Sequence, residues 1–210
     1  MSLLLSCLAF AVPIDGERLR YEATWLGLLA GTAEAELHES GSTWAATITT
    51  RSTGWVESIY PVNDVVTGSW TQAGSVRYTT RFREGKFQQD QEMSFAGTSV
   101  SVARRQLIDG LWKEWTDQYT VADGLWDPVA AVYQLREAWT GTVELNAFSG
   151  RKTVPVRAVS LGADTVPNVI SVPTEKVDVR ISRDGVLKPW MTVWFGSDAA
   201  RVPVQAVVQT

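Results

Sequence analysis

Cysteine and histidine are almost missing from this 210-residue chain, which has one of each, Cys7 and His38. A single cysteine cannot make an intrachain disulfide. A zinc site, which draws several ligands from His and Cys, has too few residues to use, so no metal ligands are assigned. His38 sits beside Glu39 at a polar strand end and reads as a surface residue rather than a catalytic base. No glycine-rich phosphate loop, dinucleotide fingerprint or nucleophile elbow occurs, so no cofactor is expected. The formal net charge is only −4 and its signs are mixed, which leaves no basic stripe for nucleic acid. No apolar run approaches the length of a membrane span. Asp109, Asp117, Asp123 and Asp127 lie close in sequence, but at positions that read as turns and caps, where aspartate serves the backbone.

What is abundant is a two-residue rhythm. In Arg18–Trp25, Leu19, Tyr21, Ala23 and Trp25 alternate with Arg18, Arg20, Glu22 and Thr24. Strand side chains alternate faces, so this pattern buries one surface and wets the other. It recurs at Ala30–Glu39, Trp44–Arg51, Val76–Arg83, Phe87–Phe95, Val100–Val102 and Leu111–Val121. Gly54, Pro61 and Gly68 break the stretch between Arg51 and Val76 into short pieces. Further strands are expected at Val143–Phe148, Thr153–Leu161, Val166–Val172, Val177–Ile181, Leu187–Phe195 and Val202–Val208. One segment differs. Asp127-Pro128 resembles a helix cap with proline at the first helical position, and Val129, Val132, Tyr133 and Arg136 follow at helical spacing. The fold class is therefore all-β and mainly antiparallel. A curled or closed β-barrel with one α-helix packed on or in it is expected, because closure removes sheet edges; a two-sheet sandwich is the alternative.

Leu3–Leu5 and Leu8–Val12 form a short apolar run, and Ala9-Phe10-Ala11 matches the small-residue pattern of a signal-peptidase cut. Residues 1–11 thus read as a partial signal peptide and 12–210 as a single β-barrel-like domain, which places the protein in the periplasm. No basic segment precedes the run, which points to a start upstream of Met1. An apolar N-terminal strand is the other reading. Leu4-Leu5-Ser6-Cys7 offers a lipoprotein box that would anchor Cys7 to the outer membrane, although Leu5 fits it poorly.

Ten tryptophans are many for this length. Core packing is their default use; an apolar cavity or groove for a hydrophobic guest is the sharper one. Trp25, Trp112, Trp115, Trp126, Tyr133, Trp139, Trp190 and Trp194 are the candidate ligand contacts. Trp112 and Trp115 are three apart, so a regular strand must send them to opposite faces. Asp198 and Arg201 flank the last turn, where a local salt bridge is expected; Asp64, after Pro61, reads as a turn residue. Asp178, Arg180, Arg183 and Asp184 read as a solvated face.

Several strings, in order, resemble one family. They are Leu19-Arg20-Tyr21-Glu22-Ala23-Thr24-Trp25-Leu26-Gly27 with Ala30-Gly31-Thr32-Ala33, then Ile59-Tyr60-Pro61-Val62-Asn63-Asp64, then Asp127–Arg136, and finally Val193-Trp194-Phe195-Gly196-Ser197-Asp198 with Arg201-Val202-Pro203-Val204. Together they resemble the exported bacterial domain-of-unknown-function 3108 family across nearly the whole chain from Glu17. Leucine and serine usually follow its Asp-Pro, whereas this chain has Val129 and Ala130. The resemblance implies a Gram-negative envelope protein with a curled sheet, similar in outline to periplasmic lipoprotein-carrier-like half-barrels, and brings no catalytic residues. The expected function is non-enzymatic: binding a lipid, a lipidated chain or an envelope protein partner in support of envelope integrity. A carboxylate-dependent hydrolase of cell-wall or lipid substrates and a purely structural interaction module are the alternatives.

Overall fold

A computed structural model describes residues 14–25, 28–166 and 172–208. The expected signal peptide and lipoprotein box, and most of the strand expected at 166–172, lie outside the described residues. Contacts divide the chain into two compact units, Ile14–Ala131 together with Asn146–Thr153, and Val132–Leu145 together with Val154–Thr210.

The first unit is built on eight strands: β1 (Arg18–Trp25), β2 (Leu28–Ser40), β3 (Thr43–Ser52), β4 (Asn63–Thr71), β5 (Gly74–Glu84), β6 (Phe87–Ala96), β7 (Ser99–Ile108) and β8 (Leu111–Thr120). Each pairs antiparallel with the next, so sequence order is also spatial order. A six-residue helix, α1 (Gly54–Ile59), joins β3 to β4. The helix α2 (Pro128–Glu137) follows β8 at the expected place. Five more strands form a second antiparallel sheet: β9 (Thr142–Phe148), β10 (Thr153–Asp164), β11 (Thr174–Arg183), β12 (Val186–Gly196) and β13 (Pro203–Val208). The all-β antiparallel class stands. Among the described residues the strands form two sheets and β1 does not pair with β8, so the first sheet is not a closed ring.

Register explains which residues of the first sheet are buried. Leu37, Ala46, Gly68, Tyr78, Met93 and Val102 oppose one another across six strands and form a buried row. On the same face Phe148 meets Phe95 and Tyr119 edge-on, at ring separations of 6.3 and 5.3 Å. These apolar contacts supply the core.

Strand β4, which sequence punctuation hid, contains Gly68 for a steric reason. A Cβ there would lie 2.6 Å from Asp127 Oδ1 and 2.9 Å from the Val129 Cβ. Asp127 is fully buried. Its Oδ1 accepts the N–H groups of Val129 and Ala130, at 2.8 and 3.0 Å, which caps α2 as the sequence suggested. Its Oδ2 accepts the Ser75 hydroxyl at 2.6 Å, and its own N–H donates to Ser75 Oγ. Burial pushes the Asp127 carboxyl up, against the hydrogen bonds from Ser75, Ala130 and Val129. Tyr78 is pushed up as well, by burial first and then by the Asp127 charge. Replacing Gly68 with Ala is expected to cost about 1–3 kcal/mol by overpacking this node, read as a lower urea midpoint at unchanged slope.

Candidate functional site

The sheet face carrying Arg83, Asp90, Arg105 and Trp112 holds an ionic cluster with an aromatic lid. Asp90 takes Arg83 at 2.7 Å and Arg105 at 2.6 Å. Both guanidinium groups lie over the Trp112 ring, 5.5 and 4.9 Å from its centroid. Partial burial opposes the Asp90 charge, but the two arginines outweigh it and hold the carboxyl below its usual range. Beside the cluster lies an open depression of about 380 Å³. Its walls are parts of two rows of this face, Thr79, Glu92, Ala103 and Thr116 in one, Asp90, Arg105 and Glu114 in the next. Thr80, Gln91, Arg104 and Trp115 point to the opposite face by strand alternation, so they can contribute only backbone to its floor.

On that opposite face Arg104 is buried. Its Nε donates to Gln91 Oε1 at 2.6 Å, one terminal nitrogen donates to the Gly150 carbonyl, and the other lies 3.6 Å from Asp117. Gly150 has φ +85°, and a Cβ there would meet the Gln91 amide at 2.8 Å. A cation this buried is held by converging acceptors and is structural in geometry.

A carboxylate pair stands at the α1–β4 junction. Asp64 is buried in β4, not in a turn as the sequence suggested, and accepts the Arg83 N–H at 2.7 Å. Glu84 shares a side-chain hydrogen bond with it. Burial pushes the Glu84 carboxyl up, and the Asp64 hydrogen bond and charge push it further, against the Tyr60 hydroxyl donating at 3.5 Å. Sequence reasoning missed this pair, because its members are twenty residues apart and only the β4–β5 register unites them.

The second unit has its own cluster around Glu175. Its carboxylate accepts the Trp139 indole N–H at 3.1 Å, the Arg201 guanidinium at 3.0 Å and the Ser160 hydroxyl. Arg201 also stacks on Trp139 at 4.8 Å and Phe195 at 5.6 Å. Partial burial raises the Glu175 carboxyl, but the Ser160, Arg201 and Trp139 bonds prevail and hold it below its ordinary value. The expected Asp198–Arg201 salt bridge is replaced by this one; Asp198 Oδ1 instead accepts the Arg201 backbone N–H at 3.1 Å. The Trp194 indole donates to Asp164 at 3.0 Å, which lowers that carboxyl, and Lys176 lies over the Trp194 ring. Asp178 is buried and paired with Arg180 at 2.6 Å, so the expected solvated face is only partly solvated.

The eight candidate aromatics do not converge. Trp112 and Trp115 take opposite faces of β8 in unbroken register, as their spacing required. Trp126 is half-buried and bonds through its backbone to Asn146 and Phe148. Tyr133 is buried on α2, with the Arg136 guanidinium over its ring. Trp139 and Trp194 serve separate carboxylates. Trp190 is half-buried at the register shift between β11 and β12. The Trp25 side chain lies outside the described residues. The four aspartates close in sequence also part company: Asp109 is a turn residue at φ 52°, Asp123 bonds to Gly124 N–H, Asp127 caps α2, and Asp117 is in mid-strand. His38 is exposed on β2. Among the described residues no three His, Cys, Asp or Glu side chains are grouped to hold a metal ion, and no helix is long and apolar enough to cross a membrane.

These observations define a class: an all-β protein of two open antiparallel sheets whose acids are tied into arginine and tryptophan clusters. The family described as "Protein of unknown function (DUF3108)" matches residues 20–210, and the chain belongs to it. No curated protein and no solved structure gave a match.

Because Glu175 is held below its ordinary value of 4.5, its contribution is present above that pH and is lost as pH falls through the lowered value. The stability gap between the wild type and Glu175→Gln is therefore expected to be constant near neutrality and to shrink below about pH 4.5. Urea midpoints taken across acidic pH check this; a gap that widens in acid would contradict it.

Proposed function

We propose that this chain is a non-enzymatic protein of the bacterial cell envelope, acting in the periplasm. There it binds a hydrophobic ligand, such as a lipid or lipidated chain, or an envelope protein partner. One observation carries the reading: most of the perturbed carboxylates already have structural partners. Asp127 caps a helix, Glu175 holds an indole, a hydroxyl and a guanidinium, and Asp90 holds two arginines. Groups engaged in this way are not poised to move protons on a substrate. The apolar run ending at Ala9-Phe10-Ala11 supports export. Neither the depression beside Asp90 nor the smaller one lined by Ser75, Phe95 and Leu125 has more than one of the eight candidate aromatics in its walls, which favours surface contact over an enclosed guest.

Asp64 and Glu84 favour a second reading, a carboxylate-dependent hydrolase. Burial and the neighbouring Asp64 charge raise the Glu84 carboxyl, which suits Glu84 to the role of the acid.

Native mass spectrometry of protein purified from its own envelope, followed by lipid extraction, tests the first reading. A stoichiometric lipid or protein adduct is expected, and a bare chain would contradict it. Incubation with peptidoglycan fragments and with phospholipid separates the two readings. No turnover is expected; products that vanish in Glu84→Gln would replace binding with hydrolysis.

A further inference from the structure

In an antiparallel meander with neighbouring strands paired in order, successive connections alternate between the two ends of the sheet. The β1–β2, β3–β4, β5–β6 and β7–β8 connections therefore share one rim of the eight-stranded sheet, and the other three share the opposite rim. The exposed apolar side chains of this unit are distributed very unequally between the two. The first rim carries Leu28 and Leu29 on its first hairpin, and Trp55, Ile59 and Tyr60 on and just after α1. It continues with Phe87 after the β5–β6 turn and with Leu111 and Trp112 after the β7–β8 turn. Ile59 and Leu111 are 74% and 69% exposed, and α1 buries none of its residues. The opposite rim turns through Gly41-Ser42, Gln72-Ala73 and Gly97-Thr98, and among the described residues only Ile14 and Val76 are large exposed apolar residues near it.

We propose that this apolar rim docks the protein onto the surface of a lipid bilayer. The proposal does not rest on a bound guest and goes beyond the function above, since it concerns where the protein sits. Three features favour a bilayer over a protein partner. The apolar residues sit on four separate connections spread along eight strands, roughly 30 Å of sheet edge at ~4.8 Å per strand. Shallow insertion suits such scattered tips, whereas a protein partner needs one continuous complementary patch. The rim mixes aliphatic residues with Trp55 and Tyr60, rings that have a polar end for the headgroup level. On the turns themselves charge is sparse, and the arginines beneath Trp112, Arg83 and Arg105, are paired with Asp90. Thr24–Ala30 carries none, Ser52–Asn63 only Glu57, and Lys86 and Lys113 accompany Glu84 and Asp109 on the remaining turns. Glu84 also accepts the Tyr60 hydroxyl, which ties the ring to the β5–β6 turn. Such a surface calls for no anionic lipid.

Vesicle flotation of the purified full chain tests this, using vesicles of phosphatidylcholine alone and of phosphatidylcholine with phosphatidylglycerol. The wild type is expected to float with both. Ile59→Ser combined with Leu111→Ser should lower the bound fraction at least about tenfold, while Val76→Ser on the opposite rim should bind as the wild type does. Both substituted residues are exposed, and an unchanged melting temperature verifies the fold. Three results overturn the proposal: a wild type that stays with neither vesicle, a double variant that floats equally well, or binding that needs phosphatidylglycerol. Sedimentation showing a dimer that the double variant abolishes, with no flotation, would assign the rim to a second copy of the chain.

Discussion

The buried carboxylate of Asp127 is the constraint on which the first unit depends. It sits where the meander ends and the helix begins, and it satisfies both. The helix needs an acceptor for its first N–H groups, and the sheet supplies room for one by placing Gly68 beneath it. Ser75 locks the arrangement from β5, donating to the side chain and accepting from the backbone of the same residue. A buried acid is costly unless its oxygens are bonded, and here the donors come from one strand and a helix. The local cap is therefore also a tertiary joint.

The tryptophans follow the same logic at the surface. Trp139 and Trp194 each direct an indole N–H at a carboxylate and present a ring face to a cation. Trp112 offers its face to two arginines that share an aspartate. Each ring thus shields an ion pair from water on one side, which strengthens a pair that would be weak if fully solvated. The abundance of tryptophan belongs as much to this electrostatic role as to the apolar interior.

Much of the architecture was legible because strands and one helix have different periods. The alternation located most of the strands, and Asp127-Pro128 marked the helix start. Strand β4 was not legible. Glycine and proline inside a stretch read as punctuation, and only the approach of Asp127 shows why Gly68 belongs mid-strand. Closure of the sheet was argued from edges, and the chain instead distributes its strands between two sheets. The Asp64–Glu84 pair and the Glu175–Arg201 bridge join residues twenty or more apart, and pairing register is invisible to local reading. The sequence suggested Asp198 as the partner of Arg201 because it is near. The structure gives it Glu175, which also brings the indole and hydroxyl into one cluster.

Leaving the meander open has a consequence for its flanks. Among the described residues β1 and β8 are the edges of the first sheet, the kind of flank onto which foreign strands could add. Both flanks carry charged residue types: Arg18, Arg20 and Glu22 along one, Lys113, Glu114 and Asp117 along the other. An incoming strand would have to desolvate those groups, so the charges act as sentinels against fibrillar stacking.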